Sequence, residues 1–165
     1  MNPNLAFDFS VNKEKKMINI QREFAAEVPL VWNAYTKGDM LDQWWAPKPW
    51  KARTKSMDFR EGGIWLYAMI SPQGEEHWSI AAYSSITPQQ SFTALYSFTD
   101  DAGHINKQLP EAHWVVTFLP KGEHTMVDFV ITYEDLAQLE TIIKMGFKEG
   151  LAMAMENLDQ ILAEK

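Results

Sequence analysis

Trp44, Trp45 and Trp50 cluster around Pro47 and Pro49. Rings at that density offer large flat apolar surfaces, suited either to a core plug or to the wall of a pocket with few polar anchors. Trp65, Tyr67 and Met69 follow at alternate positions, so a strand sends all three to one face. Tyr96 and Phe98 have the same spacing two strands further on. Covalent chemistry has less to work with. The chain has no cysteine, hence no thiolate nucleophile and no sulfur ligand for a metal. Its four histidines, His77, His104, His113 and His124, lack a close ligand spacing such as His-x-x-x-His. No Gly-x-Ser-x-Gly elbow, phosphate loop or Gly-x-Gly-x-x-Gly run occurs. Glu149 and Glu156, seven apart, are the acid–base candidates; burial in a pocket would raise their pKa, and a surface placement is expected instead. No cofactor is implied. The residues favour a binding module over an enzyme, with a small apolar or aromatic molecule as the guest. Its candidate walls are Trp45, Trp50, Trp65, Tyr67, Met69, Tyr96 and Phe98, with Gly146 on the facing helix.

Those side chains need strands to line them up. Met17–Phe24 alternates Ile18, Ile20 and Arg22 against Met17, Asn19 and Gln21, which predicts a first strand. Phe7, Phe9 and Val11 alternate likewise, so residues 1–16 are either an extension or the start of that strand. Lys13–Lys16 is a solvated turn or strand edge. Pro29 opens a short helix, Gly38 breaks it, and a second turn runs through Met40–Trp44. Strands are then expected at Ala52–Phe59, Ile64–Ile70, Trp78–Ile86, Phe92–Thr99, His113–Leu119 and Met126–Tyr133. Ile64–Ile70 is apolar on both faces, so it requires cover on both sides or an oligomer contact. The connection Thr99–Glu111 is long enough to be a pocket rim or a mobile loop. The sides taken by Trp78 and Trp114 stay open. From Leu136 to about Glu164 an apolar stripe at helical spacing predicts one long helix, capped by Asp135. Gly146 and Gly150, one turn apart, are expected to press its backbone against the sheet.

Composition sets the outer bounds. The 165 residues are 46% hydrophobic and 13% aromatic, which suits one globular domain over 1–165 and excludes bulk disorder. Fifteen basic against 22 acidic residues give a net charge of −7, a balance that points away from the clustered basic patch nucleic-acid binding needs. No apolar run is long enough for a membrane span, and the first thirty residues lack an export pattern. A cytoplasmic setting is the expectation; a homodimer is neither required nor excluded.

Sequential strands with helices at the ends mean an antiparallel α+β domain. Within that frame Val31-Trp32, Leu41-x-x-Trp44-Trp45-x-Pro47, Asp58-Phe59-Arg60-x-Gly62-Gly63, Pro72-x-Gly74, Ile86-x-Pro88 and the Gly146-bearing helix fall in one order. This set, from Met17 to the C-terminus, resembles the family of heat-shock-protein-90 ATPase activator homologues in the START/SRPBCC superfamily. The resemblance implies a helix-grip fold: a curved antiparallel sheet of six or seven strands around the long C-terminal helix, with two short helices after the first strand and a cavity between sheet and helix. It implies no shared catalytic motif. It also brings two further functional readings, an enzyme using the same cavity and, third in order, a chaperone partner.

Overall fold

The computed structural model describes residues 5–164. Its strands are β1 (Phe7–Asn12), β2 (Met17–Phe24), β3 (Lys51–Met57), β4 (Ile64–Ile70), β5 (Glu76–Thr87), β6 (Ser91–Thr99), β7 (Ala112–Lys121) and β8 (His124–Tyr133). The helices are α1 (Val28–Thr36), α2 (Gly38–Trp44), α3 (Leu136–Lys144) and α4 (Phe147–Ala163). All strands join one antiparallel sheet in the order β1-β2-β8-β7-β6-β5-β4-β3. This is an α+β helix-grip architecture with eight strands, more than the six or seven expected.

The extra strand is β1. Phe7–Asn12 does not prolong the strand after it; it folds back and pairs antiparallel with β2, Phe9 opposite Ile20. The reversal lies at Lys13–Lys16, where the Asn12 side chain accepts from the Lys15 N–H at 3.0 Å and Lys16 adopts φ +55°. A short polar side chain that bonds backbone a few residues on makes such a turn local. β8 shows why the other strands were legible. Val127, Phe129, Ile131 and Tyr133 are buried on one face, while the intervening residues are half-buried, the two-residue period of a sheet packed on one side.

The predicted single C-terminal helix is two. Gly146 has φ +86° between α3 and α4. That left-handed conformation interrupts the helical hydrogen bonding and is cheap only for glycine. The apolar stripe continues across the break, so periodicity alone could not show it. Asp135 does cap α3, accepting from the Gln138 N–H at 2.8 Å.

The inner face of the sheet packs against α1, α2 and α4. One end is filled with rings: Trp32 meets Phe118 edge-on at 5.0 Å, Tyr35 meets Trp44 at 4.8 Å, and Phe59 meets Tyr83 at 4.7 Å. Trp44 is buried there and donates from its indole to Ala34 O at 2.9 Å. Into the same face projects Arg22, fully buried and ion-paired with Asp159 of α4. It also donates to the Glu23 carbonyl and lies over the Phe24 ring, 4.7 Å from its centroid. The outer face of β4 is covered by the chain itself. Leu66 lies under the 100–111 loop, where a Cβ on Gly103 would come within 3.8 Å of it. Lys55 holds that loop by donating to Asp101 O at 2.7 Å. Ile64 of β4 remains 40% exposed.

β3 ends the sheet on one side. It carries Lys51, Arg53 and Lys55, is bulged between Thr54 and Ser56, and gives its Thr54 N–H to Asp42 of α2 at 2.8 Å. Near the other side, Glu23 of β2 accepts from His124 at 2.6 Å, from Ala6 N–H at 3.2 Å and from Lys121 at 3.4 Å. The His124 bond first, then the Ala6 bond, hold its carboxyl at about 2. A folded pKa below the unfolded value of about 4.3 contributes stability at neutral pH that is lost as pH falls from there through 2. The stability difference between the native chain and Glu23→Gln is therefore expected to shrink across that window in urea titrations. A difference that stays constant down to pH 2 contradicts it.

Candidate functional site

The end of the grip away from the ring-filled core holds a cleft of about 520 Å³. Its walls come from four places. The inner face supplies Tyr67 and Met69 from β4, Ser79 from β5, Tyr96 and Phe98 from β6, Trp114 from β7 and Tyr133 from β8. The segment after α2 supplies Trp45, Pro47 and Trp50. Ile142 of α3 and the break at Met145–Phe147 form the roof, continued by Gly150 and Leu151 of α4. Pro110, at the end of the long loop, adds one edge.

Of the residues singled out from sequence, Trp45, Trp50, Tyr67, Met69, Tyr96, Phe98 and Gly146 lie along this cleft. Trp65 does not. It is 1% exposed, stacked on Tyr67 with centroids 3.9 Å apart, and donates to Thr54 Oγ1 at 3.0 Å. It shares the strand face but sits one step deeper, where it fixes the Tyr67 ring from behind. Trp114 turns inward, 4.5 Å from Tyr96 and 5.9 Å from Phe147. Trp78 turns outward, where Arg53 and Lys55 each lie 5.7 Å from its ring centroid. Phe147 and Ser79 were not among the candidates. Phe147 belongs to the apolar stripe, and Ser79 alternates with Ala81 and Tyr83, so pattern alone could have placed both on inner faces.

The expected contact of the two glycines with the sheet is not made. A Cβ on Gly146 would meet only Glu149 Oε1 at 4.0 Å, and one on Gly150 only Pro47 Cγ at 3.8 Å. Gly146 is required for the turn of the backbone, not for close approach. Gly150 faces the open space.

Among the described residues no Asp, Glu, Lys or Arg lines the cleft. Glu149 is exposed and Glu156 half-buried, and neither reaches the walls. The polar side-chain groups present are hydroxyls and the indole N–H groups of the tryptophans, together with the His77 imidazole at the rim, where its ring lies 5.4 Å from that of Trp50. Burial pushes the Tyr67 hydroxyl up to about 12, against the pull of the Trp45 indole N–H and the Ser79 hydroxyl. Burial likewise raises Tyr96 and Tyr133. All three stay protonated at neutral pH and present O–H groups, not phenolates. Ser97 is committed to Glu111, to which it donates at 2.6 Å. Among the described residues no group of three His, Cys, Asp or Glu could hold a metal. The arrangement is able to desolvate an uncharged apolar body and offer it a few hydrogen bonds.

Solved structures match this fold closely. A protein from Mycobacterium smegmatis is 28% identical, with a TM-score of 0.88 over 96% of both chains. One from Arthrobacter aurescens is 26% identical, with a TM-score of 0.89 over 96% of this chain and 92% of its own. An AHSA1 protein from Silicibacter pomeroyi, 21% identical, has the same fold at a TM-score of 0.69, over 89% of this chain and 97% of its own. No curated protein matches in sequence. The sequence profile described as "Activator of Hsp90 ATPase homolog 1-like protein" matches residues 25–163, and with that match over the elements that build the grip, the chain belongs to this family.

Proposed function

We propose that the protein binds a small, mainly apolar or aromatic molecule in the cleft between the sheet and the α3–α4 break. The observation that carries this reading is a space of about 520 Å³ walled by rings and aliphatic side chains, with no charged side chain among them. Sites for small molecules typically have about 300–1,000 Å³ and such linings. Burying a guest's apolar surface contributes about 25 cal/mol per Å² before the costs of association. Met69 and Met145, unbranched and polarisable, let the walls adapt to guest shape.

The test is a titration of flavonoids, polycyclic dyes and fatty acids, followed by tryptophan emission, since Trp45, Trp50 and Trp114 all border the space. At least one member is expected to bind in the micromolar range. Met69→Trp, which fills the space from β4, is expected to weaken that binding at least about tenfold, a loss of about 1.4 kcal/mol. Absence of any binding below millimolar concentration, or full binding by Met69→Trp, overturns the assignment of the guest to this cleft.

A further inference from the structure

The hydrogen-bonding groups at one corner of the cleft say more about the guest than its apolar lining does, and the inference rests on the cleft being a binding site. Trp45 is 7% exposed, and among the described residues its indole N–H finds no acceptor in hydrogen-bonding geometry. An indole nitrogen only donates. On the same cleft wall stand the hydroxyls of Tyr67 and of Ser79, which lie directly opposite each other in the β4–β5 register. The stacked ring of Trp65 behind Tyr67 holds the phenol hydroxyl in place.

These three groups carry three polar hydrogens, one on nitrogen and two on oxygen, and only the two oxygens accept. In a chain of the two hydroxyls one donates to the other, and the one that ends the chain keeps an O–H without an acceptor. Among the described residues neither hydroxyl has a further protein partner, and both residues line the cleft. An O–H so placed is completed by an acceptor on the guest, and cooperative polarisation along the chain strengthens that last bond. Among the described residues the walls contain no lysine or arginine, so an ionised carboxylate would lose its hydration without a fixed counter-charge.

We propose that the guest is an uncharged, mainly apolar molecule bearing a carbonyl-type acceptor, with that oxygen against Tyr67 and Ser79. A site built to hydrogen-bond one group rejects the analogue that lacks it, because its own polar groups are then left unpaired.

Three naphthalenes of similar shape separate the possibilities at neutral pH: 2-acetylnaphthalene, 2-ethylnaphthalene and 2-naphthoate. The ketone is expected to bind at least about tenfold more tightly than the hydrocarbon, with the carboxylate weakest. Tyr67→Phe/Ser79→Ala is expected to erase the ketone's advantage, bringing the ratio of ketone to hydrocarbon affinity to about one. The indole proton of Trp45 is expected to shift further downfield in NMR spectra with the ketone than with the hydrocarbon. Equal binding of ketone and hydrocarbon, or tightest binding by the carboxylate, overturns the acceptor assignment and leaves the cleft as a binding site. Failure of all three to bind overturns both.

Discussion

Asp159→Ala is expected to destabilise the protein by about 3–5 kcal/mol, the cost typical of leaving one partner of a buried ion pair alone. The asymmetry of the pair is the reason. Arg22 is fully enclosed, whereas the Asp159 side chain is 17% exposed. Removing the carboxylate strands an enclosed guanidinium that cannot lose its proton. Its remaining bonds, to the Glu23 carbonyl and the Phe24 ring face, do not replace the lost charge. The pair is not a perfect fit either: Arg22 Nε, Asp159 Oδ1 and the Tyr35 hydroxyl have no hydrogen-bond partner among the described residues. For that reason Arg22→Met/Asp159→Leu is expected to lose much less than the single change, since an apolar pair of similar size removes both charges. Urea unfolding of the three chains decides the matter. A loss under about 1 kcal/mol for Asp159→Ala would show that the pair contributes no more than a surface contact.

Gly150→Leu is expected to abolish guest binding while leaving the melting temperature unchanged or higher. Pressed against a sheet, a leucine there would overpack and cost about 1–3 kcal/mol. The structure reverses the sign, because a Cβ at this position meets only Pro47 at 3.8 Å and the side chain extends into the cleft. Glycine inside a helix is disfavoured by about 1 kcal/mol relative to good helix formers, so the substitution also favours α4. The apolar surface of the new side chain would take the place of the guest's. Binding retained together with a lowered melting temperature contradicts this geometry.

The difference between those two expectations for Gly150 shows what the sequence can specify. Alternation placed β2, β4, β6, β7 and β8, because a two-residue period is a local property of a sheet packed on one face. It also put Arg22 on the same face as Ile18 and Ile20, a charge at an apolar position that demands a partner. Its partner lies 137 residues away on a helix, and no local pattern names Asp159. The turn at Lys13–Lys16 was visible, but whether the flanking alternation belonged to one strand or two depended on the conformation of Lys16. Gly146 was visible as a residue and invisible as a break, since the apolar stripe runs through it. Strand faces predicted which side chains share the inner surface. They could not tell Trp65 from Tyr67 and Met69, because stacking depth is set by neighbouring elements, not by parity.

The way β3 ends the sheet has a consequence for self-association. An edge strand with free N–H and C=O groups is a template on which a second copy can add. At this edge Asp42 occupies the Thr54 N–H, and the bulge beside it breaks the even spacing an incoming strand must match. Lys51 and Lys55 remain exposed on the strand, and Arg53 is offset only by Glu76 at 2.7 Å. Two such edges approaching antiparallel bring like charges face to face, which is unfavourable for cross-strand pairs. That repulsion is ionic, so it fades where salt shortens the Debye length to about 3 Å, near 1 M. The blocked amide and the bulge do not fade. Growth of the sheet from chain to chain through β3 is thus opposed by two mechanisms, only one of which concentrated salt can remove.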